Sequence, residues 1–197
     1  MIKLHRLVLA SALALGLLAS AQAAVESFTI DPVHSSAGFA VRHMVSKFNA
    51  SFTKVTGTIN VDRENLEKSS VTATVDVASL NTANDKRDAH VKSPDFLDFA
   101  KFPAMSFTST SWKKTGEDTY DVAGKLTIKD VTKDVTLKVT ILGFSPGMKP
   151  GSTTSGWEAT TTIKRTDFGV NGPAMMGKML GDDVAITLSV EANHRAP

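Results

Sequence analysis

The sequence predicts an exported, all-β domain built mainly of antiparallel strands. Three observations predict it. Apolar and polar residues alternate through eight separate segments, the two-residue period of strands with one buried face. Thr and Val dominate those segments, as half-buried pleated surfaces favour. The chain of 197 residues has no cysteine, so its core must hold without disulfides.

The start reads as a secretory leader. Lys3, His5 and Arg6 precede an apolar run over residues 7–18, and Ala21-Gln22-Ala23 offers small residues where a signal peptidase cuts. The run is shorter than the ~20 residues a spanning helix needs. The expected division is a signal peptide over 1–23 and a single domain over 24–197, placed in the periplasm. Without Lys3 and Arg6, the 22 basic residues fall to 20 and match the 20 acidic ones. No basic run survives cleavage, which speaks against a nucleic-acid partner. A chain of this length buries roughly 70% of its unfolded surface in one core.

The strands follow in order. Phe39, Val41 and His43 share a face, as do Val55, Ile59 and Val61 around Gly57. Val71, Ala73, Val75 and Val77 form the third stripe, and Met105 with Phe107 the fourth. Tyr120, Val122, Leu126 and Ile128 form the fifth; Val135, Leu137, Val139 and Ile141 the sixth. Trp157, Ala159, Thr161 and Ile163, then Val184, Ile186, Leu188 and Val190, complete eight. Turn chemistry falls at 62–68, at 114–118, and in a long expected loop at 145–156 with two Pro and several Gly. Two segments break the pattern. Residues 84–100 are charged and helix-compatible, with Ser93-Pro94-Asp95 as the expected helix start. Residues 171–180 carry Met175, Met176 and Met179, which suggests a short helix or flap with an apolar side. Eight one-sided strands fit a sandwich or a closed barrel, and a barrel of eight is either filled by side chains or holds one small ligand.

Catalytic sets are not evident. No nucleophile elbow, phosphate loop, dinucleotide fingerprint or tight metal spacing occurs, so the expectation is a non-enzyme without metal or cofactor. His34, His43 and His90 at one barrel end are the minority alternative for a zinc or haem site. The run Asp85-Lys86-Arg87-Asp88-Ala89-His90 reads equally as a solvated helix face or as a polar rim for a head group. Arg165 and Asp167 read as a structural pair.

The order of motifs resembles the YceI-like family of periplasmic polyisoprenoid- or lipid-binding proteins. The resemblance runs from about residue 28 to 191. It is carried by Ile30-Asp31-Pro32-Val33-His34-Ser35, Phe39-Ala40-Val41-Arg42-His43, Ala78-Ser79-Leu80-Asn81-Thr82 and Lys86-Arg87-Asp88-Ala89-His90-Val91. Ser93-Pro94-Asp95-Phe96-Leu97-Asp98, Phe102-Pro103-Ala104-Met105-Ser106-Phe107, Gly124-Lys125-Leu126-Thr127-Ile128 and Arg165-Thr166-Asp167-Phe168-Gly169 complete the set. The resemblance implies an eight-stranded antiparallel lipocalin-like barrel with one short helix at the mouth, to which the sequence adds the Met-rich flap. It also implies a lumen for a long isoprenoid or fatty-acyl chain.

On that frame the expected lumen residues are Phe39, Val41, Val75, Phe107, Leu126, Leu137, Val139 and Ile186. Arg42, His43, Arg87 and His90 are the candidates for the polar end, and Met175 and Met176 for the lid. The leading expectation is a non-catalytic carrier or buffer for an isoprenoid, quinone or fatty-acyl lipid. The alternative is an accessory that delivers quinone or lipid to a membrane cytochrome or stress-response protein. A two-fold dimer is the default assembly.

Overall fold

A computed structural model describes residues 25–176 and 179–195. The expected leader lies outside them, as do Gly177 and Lys178 of the Met-rich segment. The strands are β1 (Glu26–Ile30), β2 (Ser36–His43), β3 (Ser46–Phe52), β4 (Val55–Val61), β5 (Ser70–Asp76), β6 (Leu80–Asn81), β7 (Ala104–Lys114), β8 (Thr119–Ile128), β9 (Val131–Pro146), β10 (Ser152–Lys164) and β11 (Leu180–Arg195), with one α-helix, α1 (Asp85–Lys92), among the described residues.

These segments make eight barrel strands, because three strands are interrupted. β1 and β2 both pair with β11, at Ala192–Asn193 and at Leu180–Ser189 respectively, so they are two stretches of one strand. β4 pairs with β1 and β3 with β2, which makes β3 and β4 the next strand. β5 and β6 pair with β4 and β3 and form the third. β7, β8, β9, β10 and β11 then follow as antiparallel neighbours, and β11 returns to β1. The barrel is closed and antiparallel throughout, so no long strand edge is left for another chain. The first interruption is at Asp31-Pro32, where proline brings no N–H to the ladder. Ser35 repairs part of it: its hydroxyl donates to the Glu191 carbonyl and accepts from the Glu191 N–H.

Two bulges explain why strict alternation understated the core. The β7–β8 register shifts between Ser109 and Ser111, which moves the inward phase from Phe107 to Trp112. The β9–β10 register shifts at Gly156/Trp157; Ile141 and Phe144 both pack inward while Leu142 is 61% exposed. Two glycines make room. A Cβ on Gly57, at φ +147, would lie 2.1 Å from the Thr72 carbonyl oxygen of the neighbouring strand. A Cβ on Gly124 would lie 2.4 Å from the Phe107 ring.

The ends of the barrel differ. At one end Trp112, Tyr120, Phe144, Trp157 and Phe28 form a chain of tilted and edge-to-face rings that closes the floor. The Arg63 guanidinium caps that cluster 3.8 Å from the Phe144 ring centre. The other end carries the β2–β3 turn, α1 and the connection from β10 to β11.

The structure corrects several expectations. The helix is α1, capped by the Asn84 carboxamide on the Arg87 N–H; Ser93 ends it, so Ser93-Pro94-Asp95 is a turn after the helix and not its start. Proline at position 94 could not have continued a helix from α1. The long loop expected at 145–156 is a tight turn at 147–151, because β9 and β10 extend to Pro146 and Ser152. Phe48-Asn49-Ala50-Ser51-Phe52 belongs to β3, an unanticipated strand whose Phe48, Ala50 and Phe52 share a face.

Candidate functional site

The lumen contains a cavity of ≈ 840 Å³, within the ~300–1,000 Å³ common for ligand sites. Its walls are the inward stripes of the barrel. Phe39 and Val41 of β2, Val75 of β5 and Phe107 of β7 line it. Leu126 of β8, Leu137 and Val139 of β9 and Ile186 of β11 line it from the other side. Of the two outcomes open to eight strands, this cavity fits a lumen with room for a ligand. Several wall residues explain the space: Ala37, Ala73 and Ala159 are small.

Trp112 and Trp157 form the floor, with ring centroids 6.0 Å apart. Trp157 Nε1 donates to Ser155 Oγ at 2.8 Å, whereas Trp112 Nε1 is buried without a partner among the described residues.

The opposite end is polar and reaches solvent. Lys47, Asn84, Lys86, Arg87 and His90 are exposed and also line the cavity, so they mark its mouth. Arg87 donates to the Thr82 carbonyl at 2.6 Å and lies 4.5 Å over the Phe48 ring. His90 contacts Asp95 at 3.0 Å and meets the Phe96 ring edge-on. His43 reaches the same rim from β2.

Two expected site residues lie elsewhere. Arg42 faces out, as its position between the inward Val41 and His43 requires; its Nη1 donates to the Met44 carbonyl at 2.8 Å. Met175 is 84% exposed and does not line the cavity, although its neighbour Met176 does. A turn places consecutive side chains in different directions, so one Met of the pair faces in.

Arg165 is the polar residue that the sequence undervalued. It is buried on the lumen face at the mouth end of β10. It makes no ion pair with Asp167. Its Nε donates to the Gly181 carbonyl at 2.9 Å, and its Nη1 to the carbonyls of Val170 and Asn171 at 2.8 and 2.6 Å. It thus holds residues at both ends of the 170–181 connection, of which Val170 and Met176 line the cavity. Gly172 N–H of that connection bonds to the Asp95 carbonyl beyond α1, and the Met179 carbonyl accepts from Met44 N–H at the β2–β3 turn.

The histidines do not gather. His43 and His90 are at the mouth, whereas His34 lies by the β1–β2 break with Asp31 at 3.1 Å and Glu191 at 3.7 Å. Asp31, His34 and Glu191 bring one ligand atom each within 4.8 Å of one another, the one described group able to offer three donors to a metal. The Asp31 hydrogen bond, with the charges of Asp31 and Glu191, holds the His34 pKa above its ordinary value; the His34 and Val33 hydrogen bonds hold Asp31 below its own. Both shifts come first from the hydrogen bond between the two side chains, to which the opposite charges add.

Phe48, Phe52, Trp112, Trp157 and Lys47 also line the cavity. Alternation at 48, 50 and 52 carried the signal for β3; the bulge at 109–111 concealed Trp112.

The comparisons agree with this architecture. The YceI-like domain model matches residues 28–192. A UPF0312 protein of Pseudomonas savastanoi pv. phaseolicola is 36% identical over 181 residues, covering 89% of this chain and 93% of the relative. The Campylobacter jejuni YCEI protein superposes with TM-score 0.69 at 31% identity, over 78% of this chain and 88% of that one. A polyisoprenoid binding domain from Saccharophagus degradans shares the fold at TM-score 0.65 and 14% identity, over 88% of this chain and 99% of that one. The chain belongs to the YceI-like family.

Proposed function

We propose that the barrel is a non-catalytic carrier that holds one long hydrocarbon chain, an isoprenoid or fatty-acyl lipid, in its lumen. The carrying observation is the ≈ 840 Å³ apolar cavity, closed by aromatic rings at one end and rimmed by polar residues at the other. Such a shape suits an amphiphile lying tail-first, with its head among His43, Lys47, Arg87 and His90. Each methylene removed from water contributes about 0.8 kcal/mol, so a long chain needs no anchoring charge to bind tightly. The likeness to a polyisoprenoid binding domain supports an isoprenoid among such chains. The non-catalytic reading is supported by the family and by the likeness to a binding domain. The leader-like N-terminus supports a periplasmic location, where a carrier lies beside a membrane rich in such chains.

A displacement titration tests this. A fluorescent long-chain fatty acid should bind the wild-type protein at one equivalent and be displaced by an unlabelled isoprenoid alcohol. Ala73→Phe, which fills the lumen from β5 opposite Phe107, should weaken binding at least tenfold while circular dichroism stays unchanged. Unaltered affinity in that folded variant would place the probe outside the lumen.

A further inference from the structure

The mouth of the cavity is surrounded by exposed apolar residues that nothing in the fold requires. Val45, at the tip of the β2–β3 turn, is 101% exposed, and its neighbour Met44 is 54% exposed. Met44 also takes a left-handed backbone at φ 52, a conformation that Gly or Asn adopts at less cost. A solvent-facing tight turn would ordinarily carry polar residues. The 170–181 connection, tied to this turn through the Met44 N–H and the Met179 carbonyl, adds the exposed Met175. The apolar tip therefore sits on the rim of the cavity and not on the closed floor.

The charges around it have one sign on the hairpin itself. Arg42 and Lys47 flank Met44 and Val45, and residues 42–54 contain no carboxylate. Across the mouth α1 presents Lys86 and Arg87. Among the described residues none of these four cations has an ion-pair partner. Of the two carboxylates on that first helical turn, Asp88 is turned to the Thr82 N–H at 2.8 Å, which leaves Asp85 as the exposed one.

We infer that the mouth docks on a bilayer surface containing anionic lipids, with Met44, Val45 and Met175 entering the head-group region and Arg42, Lys47, Lys86 and Arg87 meeting lipid phosphates. An exposed apolar tip beside unpaired cations is the combination that holds proteins at such a surface, where apolar burial and attraction to anionic lipids add. The placement also joins the cavity opening to the bilayer, so a chain can pass between them without crossing water. This inference rests on the lumen carrier reading for its purpose, though not for the contact itself. A protein partner with an acidic apolar face is the competing occupant, and the test separates the two.

The experiment is flotation of the purified protein with protein-free vesicles, either of phosphatidylcholine alone or of phosphatidylcholine with phosphatidylglycerol. The expected result is recovery with the anionic vesicles, little with the neutral ones, and loss as salt rises. Val45→Asp, a change at a fully exposed position, should reduce flotation at least tenfold while the same sample keeps its cavity lipid by extraction and mass spectrometry. Equal flotation of wild type and Val45→Asp overturns the inference. So does wild type that fails to float on any protein-free vesicle, including when native membranes capture it, since a protein would then be the occupant. Flotation of a protein that carries no lipid would keep the docking surface and sink the carrier reading. A lipid-loaded protein that never floats would do the reverse.

Discussion

Trp112 and Trp157 meet edge to face at the cavity floor, with ring centroids 6.0 Å apart and planes at 87°, yet only Trp157 has its indole N–H satisfied. The pair differs in polar chemistry while sharing size and place. Trp157 Nε1 donates to Ser155 Oγ, which in turn donates to the Ala192 carbonyl at 3.1 Å. That relay ties β10 to β11 just where β11 turns from β2 to β1.

Replacing each by phenylalanine should separate the two roles. Both changes remove similar volume from the floor. Trp157→Phe also breaks a buried hydrogen bond, whereas Trp112→Phe removes a buried donor that has no partner. Trp157→Phe should therefore be the more destabilising by about 1–3 kcal/mol, read from urea midpoints at constant slope. Equal losses would show that the hydrogen bond contributes nothing beyond ring packing.

Arg165→Gln should loosen the connection past the mouth. The guanidinium serves the carbonyls of Gly181, Val170 and Asn171 from a buried position, and glutamine cannot reach all three. A buried acceptor left unpaired costs about 1–3 kcal/mol, so a loss in the upper part of that range is expected in urea unfolding. Arg165→Lys should recover less than half of it, because an ammonium is a point donor without the planar fork. Hydrogen exchange should quicken first at Gly172 and Met179, whose bonds lie along that connection.

The His34–Asp31 contact predicts a pH dependence. His34 has its pKa raised above the ordinary 6.5, so its share of stability is complete below that value and is lost as pH rises through the raised one. Asp31 is lowered from 3.8, so its share is present above that value and is lost as pH falls through the lowered one. The contact therefore acts across the mildly acidic range. An NMR titration should place the His34 imidazole above 6.5, and Asp31→Asn should bring it down towards that value. An unmoved titration in the variant would remove Asp31 as the cause.

The barrel was legible in the sequence because most of its strands have one apolar face at a two-residue period. Lumen positions such as Val75, Leu137 and Ile186 follow from that period alone, since even spacing keeps each on the inward face of its own strand. The period fails at bulges, which is why Trp112 and Phe144 escaped it although both face inward. Arg42 does not line the lumen although its neighbour His43 does, because adjacent strand residues point to opposite faces. The role of Arg165 was not legible, because its partners are backbone carbonyls that only the folded 170–181 connection brings within reach. Capping also decided the helix: Asn84 and Ser93 are both good N-cap residues, and the structure uses the first to start α1 and the second to end it.

A hydrocarbon chain held in the lumen would be visible in the mass of the intact protein measured under native conditions. Protein purified from its own cells without detergent should show a second species heavier by the mass of one long-chain lipid, released by solvent extraction and absent from Ala73→Phe. A single species at the mass of the chain alone, in protein that is folded and also fails to take up added isoprenoid or fatty acid, would contradict such binding.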